Sequence, residues 1–326
     1  MSYPYLTQFK KVIDATSELS DASKKAYKDR LRRLTEMTSH DVDWIIMHPD
    51  AILERLQKYE LQTQKSYINS ILTLFRYTKN LKKKRRDVYD KWYKIFSKVH
   101  VKADEKYNTM EASDRQKQVY VAWAQILERR DELAKDSAEY LLLCLYTMIP
   151  PSRADMNCVK IYSDEQQVNV KKYPNHMIVG ADKITLIYNE FKSKSRRLQK
   201  YEKILPGHLE SIVRQSLKSK PREFLIVSPR TGKPYDNAGS FTRYFDRILE
   251  RVFKKRVTIN TLRHSFINSL DLNKLTPHEK DVISREMMHS RDMMDKYRLF
   301  VPAAQSNTGV DLSCEVVCKS RQHNEK

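Results

Sequence analysis

Glycine is nearly missing from this chain: there are five in 326 residues, Gly180, Gly207, Gly232, Gly239 and Gly309. A P-loop or a dinucleotide fingerprint needs glycines grouped in one turn, so that backbone amides can approach phosphates closely. The five are scattered, which excludes ATP and NAD sites of those kinds. Cysteine is scarcer still, with Cys144, Cys158, Cys314 and Cys318 alone. They show no paired ligand spacing, which suits a reducing compartment and argues against structural zinc. No run of 18 apolar residues occurs, and no charged segment followed by an apolar core opens the chain. A soluble, intracellular protein is expected, with no membrane partner, no cofactor and no metal.

Positive charge is abundant. The 61 Lys and Arg outnumber 41 Asp and Glu, for a formal net charge of +20 and a pI near 9.6. Such an excess points to a polyanionic partner, and nucleic acid fits best. The hydrophobic fraction of 40% is that of a globular protein, and 326 residues suffice for two domains with their own cores.

From the N-terminus to about residue 100 the apolar residues recur at three- and four-residue spacing, which predicts about four helices in a small basic domain. Ser20-Asp21 reads as a cap before Ala26, Tyr27, Leu31 and Leu34. Pro49-Asp50 opens the next segment, and Tyr67, Ile68, Ile71, Leu72, Leu74 and Phe75 mark another. Lys24, Lys25, Lys28, Arg30, Arg32 and Arg33 are candidate phosphate contacts. Lys82-Lys83-Lys84-Arg85-Arg86 is a like-charge block that reads as a DNA contact, a nuclear-localisation signal or solvated surface. Tyr89, Trp92, Tyr93 and Phe96 read as a core stripe. Residues 101–113 are expected to be an extended linker, since the apolar period fades there.

Helical patterning returns over 114–130 and 137–148. The segment Tyr140 to Met148 is apolar nearly all round, hence a core helix, and Pro150-Pro151 ends it just before Arg153 and Asp155. Strands are expected over 158–162, 176–179, 184–188 and 200–205, with a basic tip carrying Lys192 and Lys194 between the last two. Helices follow from Leu209 and over 240–253, and Lys254-Lys255-Arg256 then lead positive charge into the next stretch. Residues 301–326 read as a polar tail.

The chemistry gathers near the C-terminus. Thr258 is a candidate N-cap for a helix carrying Asn260, Arg263 and His264. Thr276-Pro277-His278-Glu279 is a capping box whose helix delivers His289 at its far end, and Ser290 with Asp292 starts a short segment holding Tyr297. A guanidinium offers a planar fork to two phosphate oxygens, an imidazole adds a donor to the same oxyanion, and a phenol supplies a nucleophile.

Asn260-Thr-Leu-Arg263-His264, Met288-His289-Ser290 and Tyr297, in that order, resemble the boxes of the phage-integrase-like tyrosine recombinases, His-X-X-Arg-His, Gly-His-Ser and Tyr. Asn260 replaces the usual His. The resemblance implies a mainly α fold with a small antiparallel β-sheet (α+β): a helical SAM-like core-binding domain at 1–100, a linker at 101–113, a catalytic domain at 114–300 and a tail at 301–326. It implies a site made of Arg153, Lys192, Asn260, Arg263, His289 and Tyr297, with Asp155 orienting Arg153 and Lys192 or Lys194 protonating the leaving 5′ oxygen. His264 is expected to support the site from the core. The implied activity is site-specific cleavage and rejoining of double-stranded DNA through a 3′-phosphotyrosine, by a homo-tetramer, in the nucleus of a eukaryotic host or otherwise in the cytoplasm or nucleoid. A mobile element or a DNA virus is the implied source. Type IB topoisomerase and catalytically inactive DNA-binding protein are the competing readings; a metal-dependent transposase fits less well, since no set of acidic ligands stands out.

Overall fold

The computed structural model describes residues 4–109, 111–164, 167–191 and 199–298. The chain divides into two compact units, Met1–Thr109 and Met110–Lys326.

The first unit is helical throughout its described length: α1 (Pro4–Ala15), α2 (Asp21–Thr38), α3 (Val42–Met47), α4 (Pro49–Leu56), α5 (Leu61–Tyr77), the single turn α6 (Leu81–Lys84) and α7 (Arg86–Asn108). The signals expected at Ser20 and Pro49 start α2 and α4, and a further cap at Asp41 starts α3. Ser20 accepts from the Ser23 amide and Asp41 from the Trp44 amide, while Pro49 occupies the first turn of α4. Phe9, Leu31, Leu34, Ile68, Leu74 and Trp92 are fully buried in one core. The aromatic stripe on α7 splits: Trp92 is core, its indole N–H donating to the Ile46 carbonyl at 2.9 Å, whereas Tyr93 is 54% exposed.

Residues 101–108 are helical, where a linker was expected. Val99 and Ala103 continue the buried stripe of α7, and no Gly or Pro stops the turn there.

In the second unit the expected helix over 114–130 is two, α8 (Asp114–Val119) and α9 (Trp123–Asp131), separated by extended residues 120–122. The break is held by distant groups: the Ser265 hydroxyl donates to the Val121 carbonyl at 2.6 Å, and the Lys255 ammonium to that of Tyr120. Lys255 is thus tied to main chain, and burial lowers its pKa. α10 (Ala138–Thr147) is buried from Tyr140 to Thr147 and runs into a short 3-10 turn over Ala154–Cys158.

Four strands follow, β1 (Lys160–Ser163), β2 (Asn175–Val179), β3 (Ile184–Tyr188) and β4 (Tyr201–Ile204), in the spatial order β1-β2-β3-β4. β2, β3 and β4 are antiparallel as expected, but β1 joins β2 in parallel, so the sheet is mixed. Eleven residues separate Ser163 from Asn175 in the sequence, far more than a hairpin turn needs, as parallel pairing requires. All five residues of β3 are buried. The remaining helices are α11 (Gly207–Ser219), α12 (Ala238–Phe253), α13 (Ile259–Ser269), α14 (Pro277–Glu286) and α15 (Arg291–Asp295). The class is α+β, predominantly helical. Among the described residues no helix is long and apolar enough to cross a membrane.

Candidate active site

Arg153 follows the stop that Pro150 and Pro151 impose on α10. Its backbone is extended, and the Tyr146 hydroxyl on the last turn of α10 donates to its carbonyl at 2.6 Å. Burial raises the Tyr146 pKa far above the ordinary phenol value, so this donor keeps its proton. The half-buried Arg153 side chain then reaches the far side of the site, where Nη1 donates to the Met288 carbonyl at 3.1 Å.

Arg263 arrives from α13. Thr258 and Thr261 exchange side chain and amide at 3.2 Å each way, a capping box that starts the helix, and Arg263 lies one turn in with no exposed surface. Its Nη1 donates to the Pro151 carbonyl, and both terminal nitrogens approach the Met287 carbonyl at 3.4 and 3.5 Å. Burial lowers its pKa and the nearby Tyr297 phenol opposes that shift, but a guanidinium stays charged in any case. His264 follows on the same turn. Its Nδ1 lies 2.7 Å from the Tyr297 carbonyl, and because a carbonyl only accepts, Nδ1 carries the proton. Burial holds this imidazole below its ordinary pKa.

α14 begins with the expected box: Glu279 accepts from the Thr276 amide at 2.8 Å, and Thr276 from that of Glu279 at 3.2 Å. Its end explains where His289 sits. The Met288 amide donates to Arg285 at 2.9 Å and the His289 amide to Ser284 at 3.0 Å, the paired bonds of a Schellman motif. Such a motif turns through a left-handed residue, normally Gly, and here Met288 adopts φ 52°. Met288 is only 1% exposed, so burial of its side chain offsets the backbone cost. The turn points the Met288 carbonyl at Arg153 and carries His289 inward, to 5% exposure.

His289 donates from Nδ1 to the Ser290 carbonyl at 2.9 Å, and its Nε2 is buried without a hydrogen-bond partner. Burial first, then the charges of Arg263 and Arg153, push its pKa down to about 3. The ring is therefore neutral with Nε2 bare. Nε2 presents a lone pair, and the expected donor to an oxyanion is absent in this state.

Tyr297 lies in the turn after α15 and not on the helix, its amide donating to Met294 at 2.9 Å. Ser290 occupies the N-cap of α15 but makes no side-chain cap bond. The Tyr297 ring is 8% exposed, with its centroid 4.7 Å from Cζ of Arg263, 4.8 Å from the His264 ring and 5.6 Å from that of His289, which stacks on it at 23°.

Arg153, Arg263, His289 and Tyr297 are thus brought together, with His264 behind them. Asn260 is exposed on the first turn of α13, one turn before Arg263. Lys192 and Lys194 lie outside the described residues. The strand ends next to them are held firmly: Asn175 donates to the Glu190 carbonyl at 2.8 Å and accepts from the amides of Asn189 and Glu190 at 3.1 and 3.0 Å.

Two supports were not legible in the sequence. Tyr146 read as one more apolar residue of α10. Glu286 accepts from Tyr201 at 3.0 Å and Lys203 at 2.6 Å and so ties β4 to the helix that ends in His289. In the first unit Lys24, Lys28 and Arg32 engage Asp14 and Glu36, while the exposed Lys82 and Arg86 pack on the Tyr89 ring.

No protein-family model and no curated protein matches the chain. Among solved structures it is similar to XerA recombinase, with 99% of this chain and 98% of that one covered, 13% identity and a TM-score of 0.39. It is similar to the Tn1549 transposon integrase in complex with transposon right-end DNA, with 98% and 99% covered, 12% identity and a TM-score of 0.46. A third similar structure is the protelomerase TelA covalently complexed with substrate DNA, with 93% and 97% covered, 12% identity and a TM-score of 0.39.

Proposed function

We propose that this chain breaks and rejoins double-stranded DNA as a tyrosine recombinase, with Tyr297 as the nucleophile. One observation carries the reading: two guanidiniums that are distant in sequence reach neighbouring carbonyls of the Met287–Met288 turn, and the Tyr297 ring packs against one of them.

Arg153 and Arg263 rest on main-chain carbonyls. A DNA phosphate replaces neutral acceptors with charged ones, and such charge-assisted bonds are roughly twice as strong. Held by the two forks, the phosphorus is attacked by the Tyr297 oxygen. The O–P bond forms, the bond to the 5′ oxygen breaks, and Lys192 or Lys194 protonates the leaving oxygen. Asn260, at the exposed start of α13, donates from its amide to the phosphate. The phosphotyrosine conserves the energy of the broken linkage, so that the free 5′ hydroxyl can attack back on the same or a partner strand. The net charge of +20 favours approach of the duplex. Exchange between two duplexes cuts four strands, which makes a homo-tetramer the working form, and a mobile element or a DNA virus is a fitting source.

The test uses the purified chain and duplexes nicked so that the cleaved end diffuses away. An adduct that survives denaturant is expected with the wild type, and none with Tyr297→Phe at undiminished DNA binding. Sequencing the trapped DNA then gives the target. Relaxation of supercoils by monomers without strand transfer would instead indicate a topoisomerase, and binding with no adduct on any duplex an inactive DNA-binding protein.

A further inference from the structure

We infer that His289 is the general base that takes the proton of Tyr297, through Nε2, a role for which the residue at position 260 is chemically unfit. The inference rests on the reading of Tyr297 as nucleophile.

A phenol attacking phosphorus must lose its proton during attack, and the amide of Asn260 cannot accept it. Asn260 is also exposed. His264 has its Nδ1 on the Tyr297 carbonyl, so its hydrogen bond fixes the backbone of the nucleophile. His289 differs from both. Its Nδ1–H is spent on Ser290, which fixes the tautomer with the lone pair on Nε2, and that atom is buried with no protein partner beside a stacked Tyr297 ring. Buried polar atoms are ordinarily satisfied, and one left without a protein partner beside a nucleophile calls for an explanation, of which a catalytic role is one.

The charged groups around the ring are Arg263 on α13 and Arg153 from the turn after α10, and burial first, then these two charges, hold it neutral. A base so suppressed is weak until a phosphate is bound. The bound phosphate brings negative charge against both arginines, and the dianionic transition state brings more, so the basicity of Nε2 rises as the phenol becomes acidic. The proton passes from the Tyr297 oxygen to Nε2 while the O–P bond forms, leaving an imidazolium that neutralises part of the developing charge. The same proton returns to the phenol when the strand is rejoined. The leaving 5′ oxygen takes its proton from a separate acid, so the step balances.

The test follows adduct formation in single turnover on a nicked duplex across pH. Wild type is expected to show a plateau over the range where His289 is neutral. His289→Gln should bind the duplex as before but form adduct about 100-fold more slowly near neutral pH. Its rate should climb steadily toward the phenol range near 10, since only hydroxide or solvent then removes the proton. Added imidazole should accelerate His289→Ala, which covers the case in which the Gln variant folds poorly. Wild-type and variant profiles of the same shape, or a His289→Ala rate indifferent to imidazole, would overturn the inference while leaving Tyr297 as nucleophile. A wild type that forms no adduct at any pH would overturn both.

Discussion

Arg153 and Arg263 donate to successive carbonyls of one turn, Arg153 to Met288 at 3.1 Å and Arg263 to Met287 at 3.4 Å, although 110 positions separate them in the chain. The turn is the left-handed end of α14, so the element that presents His289 also spaces the two guanidiniums.

Their burial differs, and so should their variants. Arg263 is fully buried and serves the carbonyls of Pro151 and Met287, so Arg263→Lys should cost about 1–3 kcal/mol of stability as well as adduct formation. Arg153→Lys, at a half-buried position, should lose adduct formation with little change in stability. Urea unfolding beside the adduct assay separates the two, and equal destabilisation by both variants would contradict it.

At Met288 the left-handed backbone opposes the buried side chain. Relief of the φ strain by Gly is worth about 1–2 kcal/mol, and loss of a buried Met side chain about 2–5 kcal/mol. Met288→Gly should therefore destabilise the protein on balance, although Gly is the residue such a turn ordinarily selects. A gain in unfolding midpoint would show that the packing of Met288 is worth less than its burial suggests.

Lys203→Met should leave Glu286, whose side chain is 15% exposed, with Tyr201 as its remaining bonded partner on β4. The Lys203 side chain is 23% exposed, so solvent screens part of the pairing and the expected loss is about 1–2 kcal/mol. Amide exchange in β4 should rise with it. Unchanged protection there would mean that this pair does not hold the strand to α14.

Acid should weaken the fold through His289. The unfolded imidazole titrates near 6.5 and the folded one near 3, so between these values the unfolded state holds the extra proton. Stability from this group is whole above 6.5 and is lost as pH falls toward 3, roughly 3 kcal/mol between pH 7 and pH 4. His289→Gln should flatten that part of the profile in urea titrations at the two pH values. An equally steep fall in the variant would assign it to other groups, His264 first.

Much of this protein is settled within a few residues of sequence. The caps at Ser20, Asp41, Thr258 and Thr276, the apolar α10 and the strand segments are local choices among neighbours one turn or one strand apart, and the ordered motifs from Arg153 to Tyr297 are simply read off. Other features depend on groups far apart in the chain: the break at residues 120–122 on Ser265 and Lys255, the grip on β4 on Glu286, and the neutral state of His289 on two arginines and the burial around it. Packing energies and desolvation arise only once those groups meet. The sequence could therefore name the imidazole, while the tertiary fold determined that it would stand there with a lone pair to offer.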